Sequence, residues 1–173
     1  MQLKETNKRL NAFGKYVVSQ ARTNLTKSKK NFSKRLYNSI SYTIDETSSG
    51  SRLYIEMEDY GMFQDRGVKG KNPKLVKNGQ QKAPNSPFKF NSKMPPLDPL
   101  VKWAKSKNIR LRDKKGKFKK GNYKTIGFIL QKRIFAQGLK PSLFFTKPFA
   151  KAFKELPPDL GKSFGIDIEN LLT

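Results

Sequence analysis

Apolar residues return along the first 26 positions at spacings of seven, three and four: Leu3, Leu10, Phe13, Val17, Ala21 and Leu25. This rhythm lays them on one stripe of a helix spanning residues 3–26. Lys4, Lys8, Lys15 and Arg22 fall off the stripe, as solvent-facing positions should, and Gly14 weakens the middle slightly. After a short helical or extended link at 31–36 the period changes to two. Ile40, Tyr42 and Ile44 alternate with polar neighbours, as do Leu53, Ile55 and Met57, with the turn-like stretch 46–50 between them. Two alternating runs about a Ser/Gly turn predict an antiparallel hairpin.

Glycines at 61, 67 and 70 then mark a strand end and sharp turns. Residues 68–96 are poor in apolar side chains and hold prolines at 73, 84, 87, 95 and 96. Such a stretch buries too little to order itself alone, so an extended arm or loop is expected, ordered against a partner and anchored by Phe88 and Phe90. Asp98 as N-cap and Pro99 as first helical residue open the next helix, with Leu100, Trp103 and Ala104 inside through about Lys107.

The stretch 110–121 follows, a basic loop or mobile hairpin with Gly116 and Gly121. Asn122 caps a helix that Gly138 stops, its inner side marked by Tyr123, Ile126, Ile129, Leu130, Arg133 and Ile134. The apolar run to Phe145 predicts a strand or tight link. Thr146 opens a last short helix with Phe149, Ala150, Phe153 and Leu156 inside, and Pro157-Pro158 ends it. The tail carries Phe164, Ile166, Ile168, Leu171 and Leu172, too apolar to be idle, and is expected to dock on its own core or on a neighbouring subunit.

The expected fold is therefore α+β. An antiparallel sheet around the hairpin at about 38–60 is packed by the N-terminal helix and two or three further helices, with a long Pro-containing loop. Residues 1–160 would form a single domain carrying the arm at 68–96 and the basic loop at 110–121, and residues 161–173 a C-terminal docking tail. At 173 residues there is room for one substantial core.

Charge changes the picture most. The chain has 37 Lys and Arg against 13 Asp and Glu, a formal net charge of +24. Residues 1–60 contribute +5, residues 61–140 contribute +19 and residues 141–173 contribute zero. Solubility rarely needs more than about 8 charges in a small domain, so the middle segment calls for an anionic partner. Nucleic acid and the acidic face of another protein both meet that description. The candidate contacts are Lys102, Lys105 and Lys107, then Arg110 and Arg112, then Lys114, Lys115, Lys117, Lys119 and Lys120. Phe118 lies within this stretch, and lysines and arginines here could track a phosphate backbone by releasing counterions.

Candidate chemistry is sparse. With no Cys and no His, thiolate chemistry, disulfides and imidazole bases are excluded, and no catalytic residue, metal ligand or cofactor is expected. Asp45, Glu46, Glu56, Glu58 and Asp59 form the one carboxylate cluster, which reads better as the polar face of a half-exposed sheet than as a metal site. The Gly-Lys pairs lack the spacing of a phosphate-binding loop. No run approaches the ~18–20 apolar residues of a membrane span, and the first residues lack a signal peptide's apolar stretch. A soluble, intracellularly made, non-enzymatic protein without membrane contact is expected.

The order of parts carries a resemblance. An amphipathic helix leads to a hairpin, then to Tyr60-Gly61-Met62-Phe63-Gln64-Asp65-Arg66-Gly67. After an insert come Pro95-Pro96-Leu97-Asp98-Pro99-Leu100-Val101-Lys102-Trp103-Ala104, a helix ending near Gln137-Gly138, and Lys140-Pro141-Ser142-Leu143-Phe144-Phe145-Thr146-Lys147-Pro148-Phe149. This resembles the minor tail, tail-completion and neck (head-tail joining) proteins of tailed bacteriophages. The loop at 68–96 and the basic stretch near 110–121 are longer than a minimal member needs. The resemblance implies a structural virion protein made in the host cytoplasm: a ring-forming subunit that joins portal and head to tail around double-stranded DNA. Phe88, Phe90, Phe164, Ile166, Ile168, Leu171 and Leu172 would then make inter-subunit contacts with its own copies or with portal, neck and tail neighbours. A free, sequence-nonspecific nucleic-acid-binding protein is the alternative.

Overall fold

The computed structural model describes residues 3–28, 32–47, 50–75, 79–119 and 121–172 and has an α+β fold. The chain divides into two compact units, where the sequence predicts one domain. Residues 1–61 and 143–173 form the first, and residues 62–142 form the second.

The first unit is built on α1 (Lys4–Lys27), which buries Leu10, Phe13, Val17, Ala21 and Leu25 from the expected stripe, together with Val18. Opposite it lies the hairpin of β1 (Ser41–Thr47) and β2 (Gly50–Glu56), paired antiparallel with Ile44 against Leu53 and Tyr42 against Ile55. Ile44 and Leu53 are half-buried while Thr43 and Arg52 are exposed, the alternation of a sheet with one covered face. Ser48 and Ser49 of the predicted turn lie outside the described residues. Between α1 and the hairpin, α2 (Arg35–Ser39) follows Lys34, whose backbone is left-handed at φ 53°.

Gly14 has a packing role in this unit. A Cβ there would stand 2.5 Å from Cδ2 of Tyr42, so glycine lets the Tyr42 ring rest on α1. The Tyr42 hydroxyl donates to Asn11, and the Ser51 hydroxyl donates to Asn7, lacing the hairpin to the helix. The core gathers Val18, Ala21, Leu25, Leu36, Ile40 and Phe144. Fully burying side chains of the size of Leu25 or Ile40 contributes about 1.5–3 kcal/mol each.

The unit is completed by α6 (Thr146–Phe153) and α7 (Leu156–Leu172). Pro157 and Pro158 do not end a helix, as the sequence suggests; they lie in the first turn of α7, where amide hydrogens have no intrahelical acceptor to lose. The predicted docking tail is thus the second half of a continuous helix that packs on α1.

In the second unit α3 (Gly61–Arg66) stands where a strand end was expected. Next, β3 (Val68–Lys69) pairs antiparallel with β6 (Gly138–Leu139). The segment after β3, where the sequence predicts an extended arm or loop ordered against a partner, is tied at its described residues to the second unit. The amide of Lys69 donates to the Phe88 carbonyl at 2.7 Å, that of Phe90 to the Lys69 carbonyl at 2.9 Å, and that of Lys82 to the Gln137 carbonyl at 2.9 Å. Ser86 is buried, its hydroxyl donating to the Gly67 carbonyl at 2.7 Å. Backbone hydrogen bonds to β3 and to the end of α5 hold these residues within the second unit.

Two helices dominate this unit, α4 (Leu97–Ser106) and α5 (Tyr123–Gln137), and they pack on each other. Asp98 is not the N-cap of α4: Pro96 is, with extended backbone, and Asp98 and Pro99 sit in the first turn. Trp103 is half-buried rather than a core residue. Asn122 caps α5 as expected, its Oδ1 accepting from the Thr125 amide at 2.8 Å. Gly138 ends the helix with φ 88°, a left-handed conformation that favours glycine. Of the predicted inner face of α5, Ile126 is buried and Tyr123, Leu130 and Ile134 are half-buried. Ile126, Gly127, Ala136 and Gln137 are buried, while Ile129 and Arg133 are exposed.

Candidate nucleic-acid interface

The charge and the architecture coincide. Residues 62–142 carry 22 basic and 3 acidic side chains, net +19, whereas the first unit carries +5. One compact unit holds nearly all of the excess.

Within it, the basic stretch folds as a small hairpin between α4 and α5. Its strands are β4 (Leu111–Arg112) and β5 (Phe118–Lys119), paired Leu111 to Lys119 and Arg112 to Phe118. The base is held at both ends. The amide of Ile109 donates to the Ala104 carbonyl at 3.0 Å, and the Tyr123 hydroxyl donates to Asn108 Oδ1 at 3.2 Å. The turn is closed by Asp113, whose Oδ1 accepts from the amides of Lys115 at 2.8 Å and Lys117 at 2.9 Å, with Gly116 at φ 82°. The stretch's one carboxylate therefore serves its turn amides.

Cross-strand pairing brings cations and an aromatic together. Directly opposed residues share a face, and Arg110 lies two positions before Arg112, on the same side. The Arg112 guanidinium carbon lies 4.3 Å from the Phe118 ring centroid and that of Arg110 lies 5.6 Å away. Each such contact is worth about 0.5–1 kcal/mol when exposed. Arg112 is pinned further by donating from Nη1 to the Gly116 carbonyl at 2.9 Å, and Arg110 donates to Asn108 at 3.4 Å. Phe118 nonetheless remains 62% exposed.

Lys114, Lys115, Lys117 and Lys119 are exposed along the hairpin, and Lys102, Lys105 and Lys107 are exposed on and just after α4. Lys120 lies outside the described residues. The other nine predicted cations thus stand on one hairpin or on and just after the helix that leads into it.

The residues expected at subunit contacts are divided. Phe88 packs edge-on against Phe63 at 4.7 Å and Phe90 against Phe135 at 5.8 Å, both within the second unit. On α7 the buried positions are Ser163 and Asp167, while Phe164, Ile166 and Leu171 are exposed and Ile168 is half-buried. The side chain of Leu172 lies outside the described residues.

Elsewhere the chemistry is committed to structure. Glu58 accepts from Arg35 in a two-point pair at 2.9 and 3.1 Å, which holds the guanidinium above its ordinary pKa, chiefly through the hydrogen bond and the carboxylate's charge. An open groove of about 590 Å³ along α1 contains Arg22, but that side chain donates to the carbonyls of Tyr37 and Ile40. Among the described residues no group of three or more carboxylates is placed to hold a metal ion, and no helix is long and apolar enough to cross a membrane.

Two features escape a residue-by-residue reading: the clustering of two arginines on Phe118, and the capping of α1 by Asp167, whose carboxylate accepts from the amides of Glu5 and Thr6. Only the first leaves a trace, an Arg-x-Arg alternation six residues before a Phe across a Gly turn. No family model matches the chain, and no curated protein or solved structure is significantly similar to it.

Proposed function

We propose that the chain is a structural subunit of a tailed-bacteriophage neck or tail, assembling without catalysis into a ring at the head-tail junction of the virion, around the DNA passage. The observation that carries this reading is the concentration of a +19 charge in one compact unit, while the other carries +5. A subunit that lines a conduit for a polyanion needs this division: one part to face the anion, another to hold neighbours without repelling them. The order of motifs from the N-terminal helix to the Pro141–Phe149 region supports the same assignment. On α7, exposed Phe164, Ile166 and Leu171 offer apolar surface for neighbouring copies.

Sedimentation of the purified protein, with and without duplex DNA at low and moderate salt, tests the proposal. A discrete oligomer, seen as closed rings by negative-stain microscopy, is the expected result. A clean monomer at high micromolar concentration that joins no portal or tail component would overturn it. A monomer whose DNA affinity collapses between about 50 and 200 mM salt would instead establish the free nucleic-acid binder. The exposed Phe118 beside two guanidinium groups is the observation that favours that second reading.

A further inference from the structure

We infer that the β4–β5 hairpin is a nucleic-acid contact in which Phe118 meets a base face and the surrounding lysines and arginines meet the phosphate backbone. This rests on the reading of the second unit as the part that faces DNA, and it specifies the atoms that make the contact.

Two kinds of polyanion suit a +19 surface, and the hairpin distinguishes them. An acidic protein surface presents carboxylates to the cations, and it takes up an exposed aromatic ring only where it also offers an apolar pocket beside those carboxylates. A nucleic acid presents phosphates together with flat π faces, and base-aromatic stacking tolerates any sequence. At this hairpin the ring and the cations share one face. The guanidinium carbons of Arg110 and Arg112 lie 5.6 and 4.3 Å from the centroid of Phe118, and over half of the residue remains open.

Preorganisation points the same way. The register sets Arg112 opposite Phe118, the Asp113 carboxylate ties the turn through two amides, and the Gly116 carbonyl holds Arg112. An exposed Phe costs solubility and contributes nothing to the core of its unit. A stacking partner explains both its position and its guanidinium frame.

Fluorescence anisotropy with a labelled short single strand and the matching duplex tests this on the full chain. Phe118→Ala should lower affinity by about 5- to 150-fold, the worth of one stacked base, with the salt slope unchanged. Lys114→Ser with Lys115→Ser should instead lessen the slope of log affinity against log salt, by about 0.7 per lost contact on a single strand or 0.9 on a duplex. Phe118→Trp should retain affinity, whereas Phe118→Leu, apolar but without a π face, should behave like the alanine variant.

A larger Phe118 effect on the single strand assigns stacking on an unpaired base, and one at least as large on the duplex assigns insertion at a base step. Wild-type affinity of Phe118→Ala for both, or polyglutamate competing as well as DNA, overturns the inference. Sedimentation of the same variants separates this from the ring proposal. Rings with Phe118-independent DNA binding refute the stacking contact alone, and a monomer with Phe118-dependent binding refutes the ring alone.

Discussion

The carboxylate of Asp167 on α7 caps the first turn of α1 through Thr6, its Oδ2 accepting from the Thr6 amide at 2.9 Å and the Thr6 hydroxyl at 2.8 Å. Its Oδ1 accepts from the Glu5 amide at 3.0 Å. The residue at the N-cap position of α1, Leu3, has no side-chain acceptor, so α7 supplies from the far end of the sequence what a Ser or Asp normally supplies locally. Asp167 is 2% exposed. Burial alone would raise its pKa, but the hydrogen bonds from Glu5 and Thr6 outweigh that and hold the carboxyl below its ordinary range.

The sign of the pH effect follows. A carboxyl whose folded pKa is depressed stabilises the fold above its unfolded pKa, about 3.9 for aspartate, and that stability is lost as pH falls through the folded value. Asp167→Asn should lower Tm at neutral pH by about 5 °C, in the range that losing a helix cap produces in a unit of this size. The deficit should shrink toward acid. Thermal unfolding of both proteins from neutral pH to pH 3 checks this; parallel curves would remove the clasp from the pH response.

Gly14→Ala sets helix propensity against packing. Alanine is favoured over glycine within a helix by about 1 kcal/mol. The new Cβ would stand 2.5 to 3.0 Å from three atoms of the Tyr42 ring, and overpacking of this kind costs about 1–3 kcal/mol. Packing should win. Urea unfolding should show net destabilisation of Gly14→Ala, relieved in the background of Tyr42→Ala.

Phe144→Ala should be among the costliest substitutions in the first unit. Phe144 is 1% exposed, belongs to the core with Leu25 and Ile40, and its carbonyl accepts from Asn24 at 3.1 Å. Truncation of a buried Phe costs about 3–5 kcal/mol. Equilibrium denaturation reads this as a lower midpoint, and a loss below 1 kcal/mol would mean that the core collapses around the gap.

Phe164→Ser with Leu171→Ser should separate assembly from folding. Both side chains lie on the outer side of α7, with Phe164 47% exposed, so Tm should stay close to that of the wild type. If the chain assembles as proposed, self-association measured by sedimentation should weaken. Unchanged assembly would move the subunit contact elsewhere.

Several elements were legible from local pattern. The stripe from Leu3 to Leu25 and the alternation at 40–44 and 53–57 name the buried side of α1 and the covered face of the hairpin because period and burial are coupled through backbone geometry. Asn122 and Gly138 mark the ends of α5 because their chemistry acts within a turn. The basic hairpin was legible as charge, but its organisation around Phe118 depends on a register that composition does not specify.

Other elements read differently once packing is considered. Pro157-Pro158 breaks a helix only when preceding turns must continue through it; here it begins one. Phe164, Ile166 and Leu171 of the tail are exposed while Ser163 and Asp167 are buried, and Asp167 turns inward because the N-terminus of α1 requires an acceptor and not hydrocarbon. Residues 68–96 are poor in apolar side chains, yet their backbone amides and carbonyls find partners on neighbouring segments.

Periodicity, capping and charge are written within a few residues of one another, and they specify the α+β class, the amphipathic first helix, the hairpin and the +19 in the middle of the chain. Packing alone gives this charge a compact unit of its own, brings Arg110 and Arg112 to Phe118, and lets Asp167 cap α1 across 161 positions. Those outcomes depend on which distant groups packing brings within hydrogen-bond or ring-contact distance. No local preference encodes that distance.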